Sequence, residues 1–99
     1  MPVEDVRYFM ADHKYVTLKT PNHEYLLEEP LKALEEEFQH LFTRIHRNAL
    51  VADRHIVGLA KSQVGHSVVI FKDLPDELEI SRRHLPQVRK KIKTLATYR

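Results

Sequence analysis

The sequence predicts a strand-rich α+β domain, mostly β, made of many short strands and two short helices at about residues 30–40 and 84–95. Three observations predict it. Apolar and polar residues alternate over the first thirty positions and again from 42 to 80, the period of a half-buried strand. Helical spacing appears in only two places, and 99 residues leave room for a single core. The whole chain, 1–99, is therefore expected to be one domain.

Strands are expected near 3–11, 14–20 and 24–28. They alternate through Val3 to Tyr8, through Tyr15, Val16, Thr17 and Leu18, and through Tyr25 to Leu27. Polar breaks at Ala11-Asp12-His13-Lys14 and at Thr20-Pro21-Asn22-His23-Glu24 separate them, the second with a Pro-Asn turn signal. Glu29-Pro30 then starts a helix, because proline is tolerated where its missing N–H has no intrahelical partner. Leu31, Leu34, Phe38 and Leu41 form its apolar stripe, and Glu35, Glu36 and Glu37 sit mostly off it.

Phe42 to His46 alternates as a strand, Arg47-Asn48 is a break, and Ala49 to Ala52 is a short apolar run. Ile56, Val57 and Leu59 suggest a strand interrupted at Gly58. Ser62 to His66 is a turn into Ser67 to Lys72, the strongest β-propensity run in the chain. Leu74-Pro75-Asp76 turns again before a last strand, Glu77 to Ile80. Leu85, Val88, Ile92 and Leu95 give the second helix, with Pro86 confined to its first turn.

Composition narrows the functional classes. With 42% hydrophobic and 30% charged residues and two glycines, the chain matches neither a disordered nor a collagen-like sequence. No apolar run approaches the roughly 20 residues that span a bilayer. The opening Met-Pro-Val-Glu-Asp-Val-Arg resembles no secretory signal, so no membrane partner and a cytoplasmic setting are expected. The absence of cysteine removes disulfides, thiolate zinc sites and cysteine nucleophiles. Seven histidines show no His-x-His and no His-Glu-x-x-His, and no Gly-rich phosphate loop or Gly-x-Ser-x-Gly elbow is present. The expectation is a binding module rather than an enzyme, with no metal and no cofactor.

Charge points to a polyanionic partner. Residues 1–40 hold four basic and nine acidic side chains, whereas 81–99 hold seven basic and none acidic. The acidic first helix would repel DNA and is not expected to be a recognition helix. Basic and amide side chains instead gather at breaks in the strand pattern: Asp12-His13-Lys14, Arg44-Ile45-His46-Arg47-Asn48 and Ser81-Arg82-Arg83-His84. Arginine matches guanine bidentately, asparagine matches adenine, and lysine or serine meets phosphate. Ser81 and the N–H groups opening the second helix would also suit a phosphate oxygen.

Each assignment has a plainer counterpart. Arg44 suits either a surface ion pair or a phosphate contact. His46 is expected to turn inward onto a backbone carbonyl, and Arg47, Asn48, Arg82 and Arg83 would otherwise be ordinary solvated turns. Lys90, Lys91, Lys93 and Arg99 would add only nonspecific attraction or solubility.

Phe42-Thr43-Arg44-Ile45-His46-Arg47-Asn48-Ala49-Leu50-Val51-Ala52 resembles the LytTR DNA-binding domain of LytR/AlgR-type bacterial response regulators, nearest the AlgR subgroup. Tyr8 to Val16 is similar to that family's first strand and loop, and Ile80-Ser81-Arg82-Arg83-His84-Leu85 to its closing Ser-x-Arg segment. The resemblance implies an elongated, mostly β domain that binds promoter DNA through loops in successive major grooves and bends the duplex. It implies base contacts at His13, Arg47 and Arg83, with Lys14, Asn48, Ser81 and Arg82 beside them. It also implies a receiver domain and a sensor kinase outside these 99 residues, where nothing resembles a receiver, and a second copy on tandem half-sites. The chain departs from many members in having Asn48 for serine, Ala49 for an aromatic or histidine, and Ala52 for asparagine.

Two other classes stand beside this one, with a histidine-based metalloenzyme as a third. An RNA or single-strand binder would use Tyr8, Tyr15 and Tyr25 as a stacking platform. A protein-interaction domain would dock the acidic 28–37 segment and leave the basic end incidental.

Overall fold

The computed structural model describes the backbone of residues 3–97 and the side chains of residues 3–93. Leu95 and Arg99, assigned above to the second helix and the basic end, lie outside the described side chains. Among the described residues, eight strands form two antiparallel sheets. The first contains β1 (Tyr8–Ala11), β2 (Val16–Lys19), β3 (Glu24–Leu27), β4 (Phe42–His46) and β5 (Ala49–Ala52), in the order β3-β2-β1-β5-β4. The second contains β6 (Ile56–Lys61), β7 (Ser67–Phe71) and β8 (Glu77–Glu79) in sequential order. Helix α1 (Leu31–Glu37) joins β3 to β4, and α2 (Leu85–Thr97) follows β8.

Alternation along the strands builds two cores, one on each face of the first sheet. Phe9, Leu50 and Phe42 point to one face, where they pack with Val16, Leu31 and Leu34 under α1. Tyr8, Ala49 and Val51 point to the other, where they meet Ile56, Val69, Phe71 and Leu78 of the second sheet and Val88 of α2. Phe9, Leu50, Val51, Ile45 and Val69 are all essentially sealed from solvent. Face-to-face stacking of the sheets makes the described residues 33 × 30 × 25 Å, so the expected elongation is not found. The radius of gyration, 12.8 Å, matches the roughly 13 Å of a compact chain of this length.

The element boundaries depart from the sequence pattern at three points. Val3–Asp5 is a 3₁₀ turn rather than the start of the first strand. The turn brings the carbonyls of Glu4 and Asp5 onto the buried Arg7 guanidinium, which also grips Asp73 through two hydrogen bonds of 2.9 and 2.6 Å. That guanidinium holds the Asp73 carboxyl below the usual carboxylate range. Helix α1 stops at Glu37, short of the expected 40, since three glutamates at its C-terminal end oppose the helix dipole. Leu41 therefore leaves the stripe and is 48% exposed. Strand β6 runs through Gly58 to Lys61, with its pairing irregularity between Ile56 and Gly58.

Candidate nucleic-acid interface

The strand directions place four connections at one end of the molecule. Strand β1 ends and β2 begins at the Asp12–Tyr15 turn, and Ala11 N–H donates 2.8 Å to the Asn48 carbonyl in the β4–β5 turn. Ser81 N–H donates 2.9 Å to the carbonyl of Ile45, tying the β8–α2 connection to the end of β4. Ile80 N–H donates 2.9 Å to the carbonyl of Ser67, which brings the β6–β7 hairpin alongside. The three sequence-predicted clusters, dispersed over some seventy residues, thus become neighbours.

Each turn is held by its own chemistry, which leaves its cations outward. Asp12 Oδ1 accepts the N–H groups of both Lys14 and Tyr15 at 2.9 Å, an Asx turn that exposes His13 and Lys14. These donors, Tyr15 first, lower the Asp12 pKa and keep the carboxylate ionised. The β4–β5 turn is a two-residue link, Arg47-Asn48, between paired His46 and Ala49. Neither residue has positive φ, so this is not the mirror-image turn that suits strand twist. A bulge between Arg44 and His46 absorbs the mismatch.

Arg44 braces that bulge. Its guanidinium donates to the carbonyls of His46 at 2.9 Å and Arg47 at 2.8 Å, and to Glu35 Oε1 of α1 at 2.6 Å. Of the two roles the sequence left open for Arg44, the ion pair is the one observed. His46 differs from expectation: its Nδ1 accepts the Asn48 N–H at 3.3 Å instead of the ring engaging a carbonyl. In the third connection Ser81 Oγ and His84 Nδ1 are hydrogen-bonded at 2.6 Å. The N–H groups of His84 and Leu85 close back on the Ser81 carbonyl, so those two are not open to a phosphate.

His84 is half-buried, and desolvation lowers its pKa; Arg44, Arg83 and His46 push the same way and Glu35 opposes them. Ion pairing divides the basic residues further. Arg7, Lys19, Arg44 and Lys91 are bound to Asp73, Glu24, Glu35 and Asp53. Lys91, expected to be nonspecific, thus ties α2 to buried Asp53, whose other oxygen accepts from Thr43 Oγ1. Lys14, Arg47, Lys61, Arg82 and Arg83 are exposed and make no ion pair with a described residue. These five lie at the end where the connections meet, whereas Lys72, equally exposed and without an ion pair among the described residues, lies at the opposite end, and Lys32 and Arg89 stand on the two helices.

Comparison with known proteins decides the family. The LytTr DNA-binding domain profile matches residues 1–93. This chain belongs to the LytTr DNA-binding domain family. It is 53% identical over 91 residues to the positive alginate biosynthesis regulatory protein of Pseudomonas aeruginosa PAO1, a match covering 91% of this chain and 37% of that protein. The LytTr domain here therefore spans little more than a third of that relative. A solved LytTr DNA-binding domain from Bacillus cereus superposes with a TM-score of 0.80 at 18% identity, over 93% of this chain and 84% of that one, a likeness of fold.

Within the LytTr domain the tyrosine platform does not assemble. Tyr8 is buried, and its hydroxyl donates to Asp76 at 2.6 Å at the opposite end of the sheets; burial first, then Asp76, drives its pKa upward. Tyr25 leans on His23 near that same far end, with ring centroids 6.0 Å apart. Among the described residues no group of three or more histidines and acids is arranged for a metal, and no helix is long and apolar enough to cross a membrane. One neighbour of the site escaped sequence reading as such: the β6–β7 hairpin, whereas His84 already stood in the third cluster. A tight turn was visible at Gly65, but nothing in the linear order places it beside Ser81.

Proposed function

We propose that residues 1–99 act as a single effector domain that binds double-stranded promoter DNA sequence-specifically, reading major grooves with loop side chains. The supporting observation is the convergence of the Asp12–Tyr15, Arg47-Asn48 and Ser81–His84 connections, with their unpaired cations, on one end of a LytTr fold. In this reading His13, Arg47 and Arg83 address bases, while Lys14, Asn48, Ser81 and Arg82 contact backbone or adjoining base edges. Arg44 acts as a positioning residue for the β4–β5 turn.

The relative's name as a positive regulatory protein supports a role in transcription. We extend the reading to a cytoplasmic response regulator, with a receiver domain and sensor kinase outside these residues and a second copy on tandem half-sites. Fluorescence anisotropy against a duplex selected from a randomised pool, and against its scrambled counterpart, tests the core of the reading. Arg47→Ala and Arg83→Ala should each cost about 1–3 kcal/mol on the selected duplex and relax preference at one base position. Equal losses on both duplexes would remove the base-reading roles.

A further inference from the structure

The tip of the β6–β7 hairpin has the features of a contact element. Ser62 N–H donates to the His66 carbonyl at 2.8 Å and Gly65 N–H to the Ser62 carbonyl at 2.9 Å, a tight tip closed by Gly65 at φ +86°. Only glycine adopts that conformation readily, so the tip holds a defined shape. Val64, beside it, is 77% exposed, and the Gln63 side chain is exposed and makes no hydrogen bond with a described residue. Behind the tip, Lys61, His66, Glu79 and Arg82 border a cavity of about 270 Å³. Lys61 and Arg82 carry no ion pair there, whereas the Glu79 carboxylate is taken by His66 Nδ1 at 2.8 Å. The Ile80–Ser67 and Ser81–Ile45 hydrogen bonds place this hairpin at the end that carries the other three connections.

We propose that the β6–β7 hairpin is a fourth DNA-contacting element, in which Lys61 and Arg82 take one backbone phosphate and the Gln63-Val64 tip lies against the duplex. Two cations lining one cavity suit a doubly shared phosphate oxygen pair, and the Glu79 carboxylate beside them is engaged by the His66 ring. Val64 needs an apolar surface, which a deoxyribose or a thymine methyl supplies. This contact adds affinity and register more than sequence preference, because phosphate is the same in every sequence. The proposal rests on duplex binding by the loop end.

The test uses the whole chain with Lys61→Ala/Gln63→Ala, two exposed side chains whose removal leaves the fold's described hydrogen bonds in place. Anisotropy is read on a fixed arbitrary duplex spanning three helical turns and on a duplex selected from a random pool, with hydroxyl-radical footprinting of the latter. The double variant should bind both duplexes about three- to tenfold more weakly, with the salt slope reduced by about one and one protected backbone segment lost. Affinity within about twofold of wild type and an unchanged footprint would overturn the hairpin contact. Arg47→Ala, run on the same duplexes, separates the two readings: loss there with a neutral hairpin variant leaves duplex reading intact and removes only the hairpin. If the wild-type chain binds neither duplex, both readings fall.

Discussion

Ser81 Oγ and His84 Nδ1 lie 2.6 Å apart at the point where the second and third connections touch, and the charged groups around them set a proton balance. His84 faces Arg44 and His46 of β4, Arg83 of its own turn and, from α1, Glu35. Its folded pKa lies below its ordinary value, so the unfolded chain binds the proton more tightly than the folded one. The sign follows: the stability associated with neutral His84 is complete above about pH 6.5 and declines as pH falls through the window below it. A duplex docked at this end, as proposed, would act in the opposite sense, since its phosphates would favour the imidazolium and binding would take up a proton. Melting temperature should therefore drop, and duplex affinity should rise, as pH is lowered from about 7.5 to 5.5. His13, His46 and His66 stand at the same end, so His84→Gln isolates this residue. Identical pH profiles for wild type and His84→Gln would remove His84 from the linkage.

At the scale of elements, the β4–β5 hairpin depends on a brace supplied by its own strand and by α1. A two-residue turn without positive φ does not follow strand twist, and the bulge that accommodates it leaves the carbonyls of His46 and Arg47 facing one guanidinium. Only a planar fork reaches these two oxygens and Glu35 together. Arg44→Lys preserves the charge and loses the fork, so it should weaken duplex binding about tenfold, close to Arg44→Ala. Retention of wild-type affinity by Arg44→Lys, measured by anisotropy at fixed salt, would return Arg44 to simple phosphate contact. The acidic face of α1 is thereby partly accounted for: Glu35 serves the loop across the sheet.

For the whole molecule, the fold sorts charge differently from the chain. Along the sequence, acid lies early and base late; in space, Asp73, Asp53 and Asp76 are taken by Arg7, Lys91 and Tyr8 away from the loops, while Asp12, Glu35 and Glu79 at the loop end are held by the turn N–H groups, Arg44 and His66. Lys14, Arg47, Lys61, Arg82 and Arg83, drawn from all parts of the chain, stay unpaired at the loop end. A duplex held there through about six phosphates should show log K falling against log salt with a slope near −5. A slope near zero, from titrations at several salt concentrations, would mean that these cations do not meet the backbone.

The sequence by itself determined the element types, since alternation and helical spacing are local consequences of which face is buried. The order of strands, both helices and the three polar breaks at residues 12–14, 47–48 and 81–84 were legible on that basis, and family resemblance gave the breaks a shared purpose. Only the tertiary structure decided which breaks are neighbours, because that depends on strand order and on single backbone bonds such as Ala11 to Asn48 and Ser81 to Ile45. It separated Arg44 from Arg47, two arginines three positions apart, by aiming one at carbonyls within the protein and the other at solvent. It also brought the Gly65 hairpin to the same end, and it replaced the expected elongation with two sheets stacked over a common core. Long-range packing, which local periodicity does not encode, is the physical reason for each of these outcomes.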